Sequence, residues 1–223
     1  MNKVYAVVVA GGTGTRMQQA LPKQFLPIHG KELFIYTLEA FLSAIPEIQI
    51  ILVLPLAHMD MAKEILVKFG MFDKVLLVEG GETRFHSVKN GLNKIKEEAV
   101  VMVHDAVRCM VTPTFLQTCM QACIEYGSSV PIMMSKDSVR IKDGEKYKVV
   151  DRETIFSVQT PQSFLTSIIL PAFETEYVPL FTDEATVVEK MGHTIHFIEG
   201  EDSNLKITRP VDMIFATQFF SDK

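Results

Sequence analysis

The feature that most constrains this chain is the passage from an uninterrupted apolar run into a glycine loop. Val4 to Val9 carries no charge and reads as a first strand buried on both faces, as in a parallel sheet flanked by helices. Ala10-Gly11-Gly12-Thr13-Gly14-Thr15-Arg16-Met17 follows at once, and Pro22-Lys23-Gln24 comes soon after. The closely spaced glycines let the backbone turn tightly and bring its N–H groups against an anion with no Cβ in the way. Arg16 and Lys23 place two cations on the same excursion. A buried strand, a glycine loop and two cations make a place for a polyphosphate.

Two common nucleotide signatures are excluded here. The dinucleotide fingerprint needs a third glycine where Met17 stands, and an acid near the end of the second strand, where the chain reads Leu54-Pro55-Leu56. The phosphate loop of nucleotide hydrolases needs Lys followed by Ser or Thr, and Thr15-Arg16 occupies that place. Glycines after a strand can simply turn the chain. Arg16 and Lys23 together favour the phosphate.

The remaining pattern alternates. Leu33, Phe34, Leu38, Phe41 and Leu42 recur at helical spacing, Ile48 to Leu54 is a near-continuous apolar strand, Met59 to Phe69 reads as helix and Lys74 to Val78 as strand. Arg84 to Lys96 reads as helix, Ala99 to Val103 as strand, and Thr112-Pro113 opens a helix that Gly127 stops. Fully apolar strands separated by helices predict an α/β fold with a mostly parallel, doubly wound sheet. At 223 residues and 48% hydrophobic content, one large domain (1–223) with a sizeable core is the expected organisation.

After Val130 the order breaks. Ser138 to Lys142 and Tyr147 to Val150 look like short strands around the turn Asp143-Gly144, with charged flanks. Such a hairpin is either a solvated decoration or packs on another subunit. Regular order then returns with a helix around Ile168, a helix from Asp183 to Met191, a strand from His193 to Ile198 and a last helix after Pro210.

Composition narrows the partners and the compartment. A net charge of -5 argues against a general nucleic-acid surface, so the basic residues matter by placement. Cys109, Cys119 and Cys123 are too few and irregular for a disulfide framework, which suits a reducing cytoplasm; Cys119 and Cys123, four apart on a helix, read as small buried hydrophobes. The chain enters its first strand without the pattern of a signal peptide, and no apolar run approaches the roughly 20 residues of a membrane span.

Five further stretches carry candidate chemistry, each with a plainer alternative. Gly80-Gly81-Glu82-Thr83-Arg84 with Ser87 admits a flat base to the backbone, or is only a turn with a helix cap. His104-Asp105-Ala106-Val107-Arg108 follows the fourth strand, at the carboxyl end where open α/β sheets bind ligands. Asp105 there suits a divalent cation that keeps waters and substrate phosphates as its other ligands, or a salt bridge to Arg108. Thr160-Pro161-Gln162 and Thr182-Asp183-Glu184 are weak alone, and Thr182 suits a helix cap. Lys206, in Asn204-Leu205-Lys206-Ile207-Thr208-Arg209-Pro210, is either a surface charge or a third phosphate cation.

Taken in order from Ala10 to Pro210, with Asp151-Arg152 between, these stretches resemble the cytidylyltransferases of the methylerythritol phosphate type, which make 4-diphosphocytidyl-2-C-methylerythritol in isoprenoid synthesis. The resemblance implies a single Rossmann-like nucleotidyltransferase domain. It also implies a homodimer whose protruding β-arms, here about 131–159, complete each other's sites. Arg16, Lys23 and Lys206 would then be catalytic, holding the triphosphate and its transition state. Ala10, Gly11, Gly12, Gly14, Gly81, Glu82, Ser87 and Asp105 would bind CTP, with Asp105 also at Mg²⁺. Arg108, Thr160 and Thr182 would bind the polyol phosphate, and Ser138 and Arg152 would reach in from the partner's arm. Gly11 stands where alanine is common, Glu82 where aspartate is, Ser138 where threonine is, and Cys109 where proline usually follows the arginine. The cysteine loosens the turn beside Arg108. Ribitol 5-phosphate cytidylyltransferases share A-G-G-T-G-T-R-M and Q-T-P-Q-S-F and are the alternative, a non-catalytic nucleotide-binding subunit being the second. Thr182-Asp183-Glu184-Ala185 and Ile207 to Pro210 resemble the methylerythritol branch better.

Overall fold

The computed structural model of the chain describes residues 3–12 and 21–221. It runs β1 (Lys3–Val9), β2 (Pro27–Ile28), β3 (Lys31–Glu32), α1 (Leu33–Ala44), β4 (Gln49–Leu54), α2 (Met59–Lys68), β5 (Val75–Glu79), α3 (Arg84–Leu92) and β6 (Ala99–Asp105). Then come α4 (Pro113–Tyr126), β7 (Ser128–Met134), β8 (Val139–Asp143), β9 (Lys146–Val150), β10 (Phe156–Val158), β11 (Gln162–Leu165), α5 (Thr166–Ala172), α6 (Glu184–Lys190), β12 (Phe197–Glu199) and α7 (Pro210–Ser221).

β5, β4, β1 and β6 lie side by side and parallel. β11 pairs antiparallel with both β6 and β7, and β10 continues antiparallel along β7. β12 runs parallel on the other edge of β7, where Ile132 faces Val158 on one side and Glu199 on the other. The sheet is mostly parallel, as the apolar runs predicted. The antiparallel insertion is new: β10 and β11 are short and carry Ser157, Gln162 and Ser163, so neither gives the continuous apolar signal of a buried parallel strand.

The apolar strands are apolar throughout because each face has its own helical layer. From β1, Val4, Ala6 and Val8 join one core with α1, α2 and α4, while Tyr5, Val7 and Val9 join a second with α3, α5 and α6. β4 divides likewise, Ile50, Leu52 and Leu54 against Ile51 and Val53. Each such side chain contributes about 1.5–3 kcal/mol by leaving water, so a polar residue at either parity would cost as much. Gly91 stands in the last turn of α3, where a Cβ would lie 2.6 Å from Val7 Cγ1 and 3.0 Å from Val53 Cγ2, so glycine lets the helix approach the sheet this closely. Cys119 and Cys123 are buried in the first core, as expected of small hydrophobes.

Several boundaries differ from the sequence expectation. α3 ends at Leu92 instead of Lys96, because Lys94 and Ile95 make tight turn bonds to Gly91 and Leu92 and drop Ile95 into the core. β6 runs on to Asp105. β12 covers only Phe197–Glu199, and His193 to His196 are connection, with the His196 N–H held by Ser128 Oγ at 3.0 Å. The helix after Thr182 is capped by Asp183, not Thr182: Asp183 Oδ1 accepts from the Thr186 N–H at 3.0 Å in a reciprocal capping box.

The chain builds β4 and β5 on one side of β1 and returns to place β6 on the other. The crevice outside the carboxyl ends of β1 and β6 is therefore the point where strand order reverses, the usual ligand position in such sheets. Backbone bonds draw the turns there together: Ala10 N–H to Val53 O at 2.7 Å, Gly80 N–H to Leu54 O at 2.9 Å and Ala106 N–H to Val9 O at 3.0 Å. The hairpin β8–β9 forms a separate two-stranded sheet beyond this body.

Candidate active site

The crevice holds a cleft of about 240 Å³ lined by Ala10, Gly11, Gly12, Lys23, Gly81, Glu82, Ser87, Asp105 and Lys206, all expected from the sequence, together with Val9, Gln24, Thr83, Arg84 and Val107. Gly14 and Arg16 lie outside the described residues. Gln24 is buried beneath the glycine loop and its amide Nε2 donates to Ala10 O at 2.6 Å, which turns the Gly11–Gly12 backbone over the cleft. On the opposite wall the Gly81 N–H donates to Ser87 Oγ at 3.0 Å, and the Ser87 hydroxyl donates to Thr83 O at 3.0 Å. A Cβ on Gly81 would collide with His86 Cβ and stand 3.0 Å from the His86 backbone carbon, so the wall can pass this close only with glycine. A Cβ on Gly11 would meet Ser87 Oγ at 3.8 Å, an ordinary contact.

The floor is a charge cluster on Asp105. Its Oδ2 receives Lys206 Nζ at 2.9 Å and Arg108 Nε at 3.4 Å, and its Oδ1 receives Arg84 Nε at 3.4 Å. Burial pushes the Asp105 carboxyl up, but Arg84, Lys206 and Arg108 together outweigh burial and hold it well below the usual carboxylate range. The Asp105–Arg108 salt bridge, given as the alternative to a metal role, is present, and the contact of Lys206 with Asp105 is an addition to the sequence reading. Arg84 lies between two carboxylates, its remaining nitrogens forked onto the buried Glu184 with Nη2–Oε2 at 3.1 Å and Nη1 on Oε1. Burial opposes the Arg84 charge, yet Glu184 and Asp105 raise its pKa further and keep it protonated. This fork was not read from the sequence, because Arg84 and Glu184 lie in two separate motifs far apart along the chain, and nothing in either motif points to the other.

Lys23 and Lys206 reach the cleft from remote segments that meet there, since Lys23 Nζ donates to the Ile207 carbonyl at 2.9 Å. The Ile207 N–H in turn donates to Val107 O at 3.0 Å, which fixes the Lys206 strand of backbone beside the β6 turn.

His104 supports Asp105 from below. Its Nε2 faces the Arg108 carbonyl at 3.4 Å, an acceptor, so that nitrogen carries the proton; Nδ1 then accepts from the Thr160 hydroxyl at 3.0 Å, and Thr160 Oγ1 accepts from the Asp105 N–H at 3.1 Å. Burial drives the imidazole pKa down to about 3, with Asp105 opposing and Arg108 adding to the fall. Thr160 is therefore buried under Asp105 and does not line the cleft. The turn beside Cys109 is closed, by Arg108 N–H to Asp105 O at 3.0 Å, and Cys109 packs in a third core with Val107 and Ile207. Where the sequence suggests a loosened turn, the structure shows this bond and a buried cysteine side chain.

Two motifs that look separate in the sequence are one structure. Gln162 Nε2 donates to Asp183 Oδ2 at 2.9 Å and its Oε1 accepts from the Ala185 N–H at 2.8 Å, so Thr160-Pro161-Gln162 seats the start of α6 and hence Glu184. Thr182 is exposed just before that helix and, like Arg108, is not among the residues lining the cleft. Ser138 and Arg152 are exposed on the arm, where Arg152 Nη1 donates to Lys136 O at 3.4 Å.

Known proteins agree with this architecture along the whole chain. Residues 4–222 match the model of a family described as IspD, 2-C-methyl-D-erythritol 4-phosphate cytidylyltransferase. A relative of that name from Bacteroides fragilis is 42% identical over 212 residues, covering 95% of this chain and 97% of its own. Another from Geobacillus kaustophilus is 34% identical over 221 residues, covering 98% of this chain and 97% of its own. The crystal structure of 4-diphosphocytidyl-2C-methyl-D-erythritol synthase from Anaerococcus prevotii superposes with a TM-score of 0.82 at 27% identity, covering 99% of this chain and 96% of that one. A match this long and this even, on a sheet whose switch point carries Gly11, Gly12 and Lys23, has one consequence: the chain belongs to the 2-C-methyl-D-erythritol 4-phosphate cytidylyltransferase family.

Proposed function

We propose that this protein transfers CMP from CTP to the phosphate of 2-C-methyl-D-erythritol 4-phosphate, giving 4-diphosphocytidyl-2-C-methyl-D-erythritol and pyrophosphate. The observation that carries this reading is the convergence of Lys23 and Lys206 on one cleft between a glycine loop and a glycine-walled pocket. The pocket at Gly81, Glu82 and Ser87 suits a flat base held by backbone and hydroxyl groups. The glycine loop and Lys23 suit the triphosphate, and Lys206 and Arg108 suit the second phosphate. Arg16 joins the triphosphate side by resemblance.

The acceptor phosphate, with a second pKa of about 6, is mostly ionised at neutral pH and attacks the α-phosphorus in line. No protein base is required. His104, the imidazole under Asp105, is neutral and engaged at both nitrogens, so it takes no proton from substrate. Catalysis then consists of positioning two anions that repel and of stabilising charge on the phosphoryl oxygens. Asp105 offers a hard oxygen donor at the cleft, the donor type that suits a cation shared with substrate phosphates. Mg²⁺ held at Asp105 would supply neutralisation of the triphosphate charge.

The active unit on this reading is a homodimer. Ile141, Tyr147 and Val149 are 53%, 64% and 74% exposed on a two-stranded hairpin, an arrangement marginal in water without a surface to pack on. A second copy supplies that surface and brings Ser138 and Arg152 to the polyol phosphate. Among the described residues no helix is long and apolar enough to cross a membrane, in keeping with a cytoplasmic enzyme.

The test is pyrophosphate release with CTP and each polyol phosphate in turn. Methylerythritol phosphate should support turnover with kcat/KM at least about a hundredfold above ribitol 5-phosphate. Equal or better turnover of ribitol phosphate would assign the other substrate, and no release with either would make the protein a nucleotide-binding subunit.

A further inference from the structure

We infer that Asn204 is a positioning residue that sets Lys206 in the cleft and Arg108 on Asp105 at its floor by anchoring their loop to the base of the arm. The inference rests on the proposed cytidylyl transfer and goes beyond it, since Asn204 itself does not line the cleft. Asn204 is 0% exposed. Its side-chain Nδ2 donates twice, to Thr160 O at 2.7 Å and to Gln159 Oε1 at 3.1 Å, while its main-chain carbonyl accepts from Arg108 Nη1 at 2.8 Å. One residue thus holds the guanidinium of Arg108 directly and fixes the backbone two positions before Lys206.

Gln159 completes the anchor. Its Oε1 also accepts from the Glu201 N–H at 3.1 Å, its Nε2 donates to Glu201 O at 3.0 Å, and its N–H donates to Pro131 O at 2.8 Å. Pro131 and Gln159 are the two ends of the arm segment. The loop is pressed so closely on them that a Cβ at Gly200 would stand 2.8 Å from Gln159 Oε1 and 2.9 Å from Met133 Sδ. A buried amide making two bonds to acceptors in one geometry leaves the loop a single register, and a primary amide is the smallest group with two donors to spare. The alternative, that this knot merely stabilises the fold, predicts the same loss of melting temperature but no preference between substrates. Anchoring predicts a preference, because the proposed function assigns Lys206 and Arg108 to the polyol phosphate, while the base pocket is built on α3 and the turn before it.

The experiment measures steady-state kinetics of Asn204→Ala and Gln159→Ala beside the wild-type enzyme, with thermal melting to confirm folding. Misplacing a phosphate-facing cation by about 1 Å costs on the order of a hundredfold. Both variants should lower kcat/KM for methylerythritol phosphate by at least about tenfold and leave the KM for CTP within about twofold. Unchanged kinetics, or equal rises in both KM values, would overturn the inference, and so would failure of both variants to fold, which assigns the knot to stability. Should only Asn204→Ala fail to fold, Gln159→Ala is read by the same criteria. An inactive wild-type enzyme refutes the proposed function instead, so the two failures are distinct.

Discussion

A neutral imidazole buried under the active-site carboxylate makes the protein sensitive to mild acid in a predictable direction. In the unfolded chain the His104 pKa is about 6.5, and in the fold burial brings it to about 3. The unfolded state therefore binds more protons at every pH between these values, and stability falls as pH falls through that window. At pH 5 the gap of about 1.5 units from the unfolded value corresponds to about 2 kcal/mol, and well below pH 3 the full loss is about 5 kcal/mol. Above about pH 7 the group contributes no pH dependence. His104→Gln keeps a donor for the Arg108 carbonyl and cannot titrate. The chain has no tryptophan, so urea unfolding is followed by far-ultraviolet circular dichroism at pH 7.5 and 5.0. The wild type should lose about 2 kcal/mol more than His104→Gln between the two pH values. Other groups titrate alike in both proteins and cancel in the difference. A difference that stays constant within about 0.5 kcal/mol would show that the imidazole is not held neutral, and the assignment of its tautomer would fall with it.

Lys23→Ala should lower kcat by at least about a hundredfold with a much smaller change in the KM for CTP, because its charge matters most as the α-phosphate becomes five-coordinate; Arg16→Lys should also be damaging, since a planar fork is not replaced by a point charge. Near-normal turnover of both would make the loop a structural turn. Gly81→Ala must displace the wall from His86 and loosen the Gly81–Ser87 bond, raising the KM for CTP about tenfold or more, as measured by varying CTP at saturating polyol phosphate. Arg152→Ala and Lys23→Ala homodimers should each be nearly inactive, and refolding them together should restore activity in heterodimers that keep one intact site. Heterodimers that form without activity would place Arg152 at its own chain's site or at none.

What was legible in the sequence was whatever a short window encodes. The strands β1, β4 and β6 carry their parity in the chain itself, since every residue from Val4 to Val9 must be apolar when both faces are covered. Glycine loops and strand-end residues were found for the same reason: Ala10, Gly81 and Asp105 each follow an unmistakable strand, and the topology carries them to one crevice. Contacts that join remote segments were hidden. Neither the Arg84–Glu184 fork nor the Asn204–Gln159 knot has a fixed spacing, and Gln162 reads as part of a loop motif until it is seen to seat α6. The hairpin was read from the turn signal Asp143-Gly144 between short strands with charged flanks, while β10 and β11 were missed because short strands carrying polar residues look like loop.

The same contrast accounts for how the site is assembled. Cations gathered for an incoming triphosphate repel one another before it arrives, and a buried charge without a partner is strongly unfavourable. Asp105 meets this difficulty by taking Arg84, Arg108 and Lys206 at once, each attraction on the order of 4 kcal/mol at 4 Å in a medium of intermediate polarity. Glu184 then occupies the far side of Arg84, so that arginine is shared between two carboxylates and is spoken for. Arg108 is tied to the Asn204 carbonyl as well. Lys206 is the most exposed of the three cations and keeps the longest, most flexible reach into the cleft. When a phosphate enters, Lys206 can turn to it while Asp105 remains neutralised by two arginines whose positions are fixed by other bonds. On the proposed reading, the two arginines held by other bonds keep the cluster in place and leave Lys206, the most exposed cation, to the phosphate.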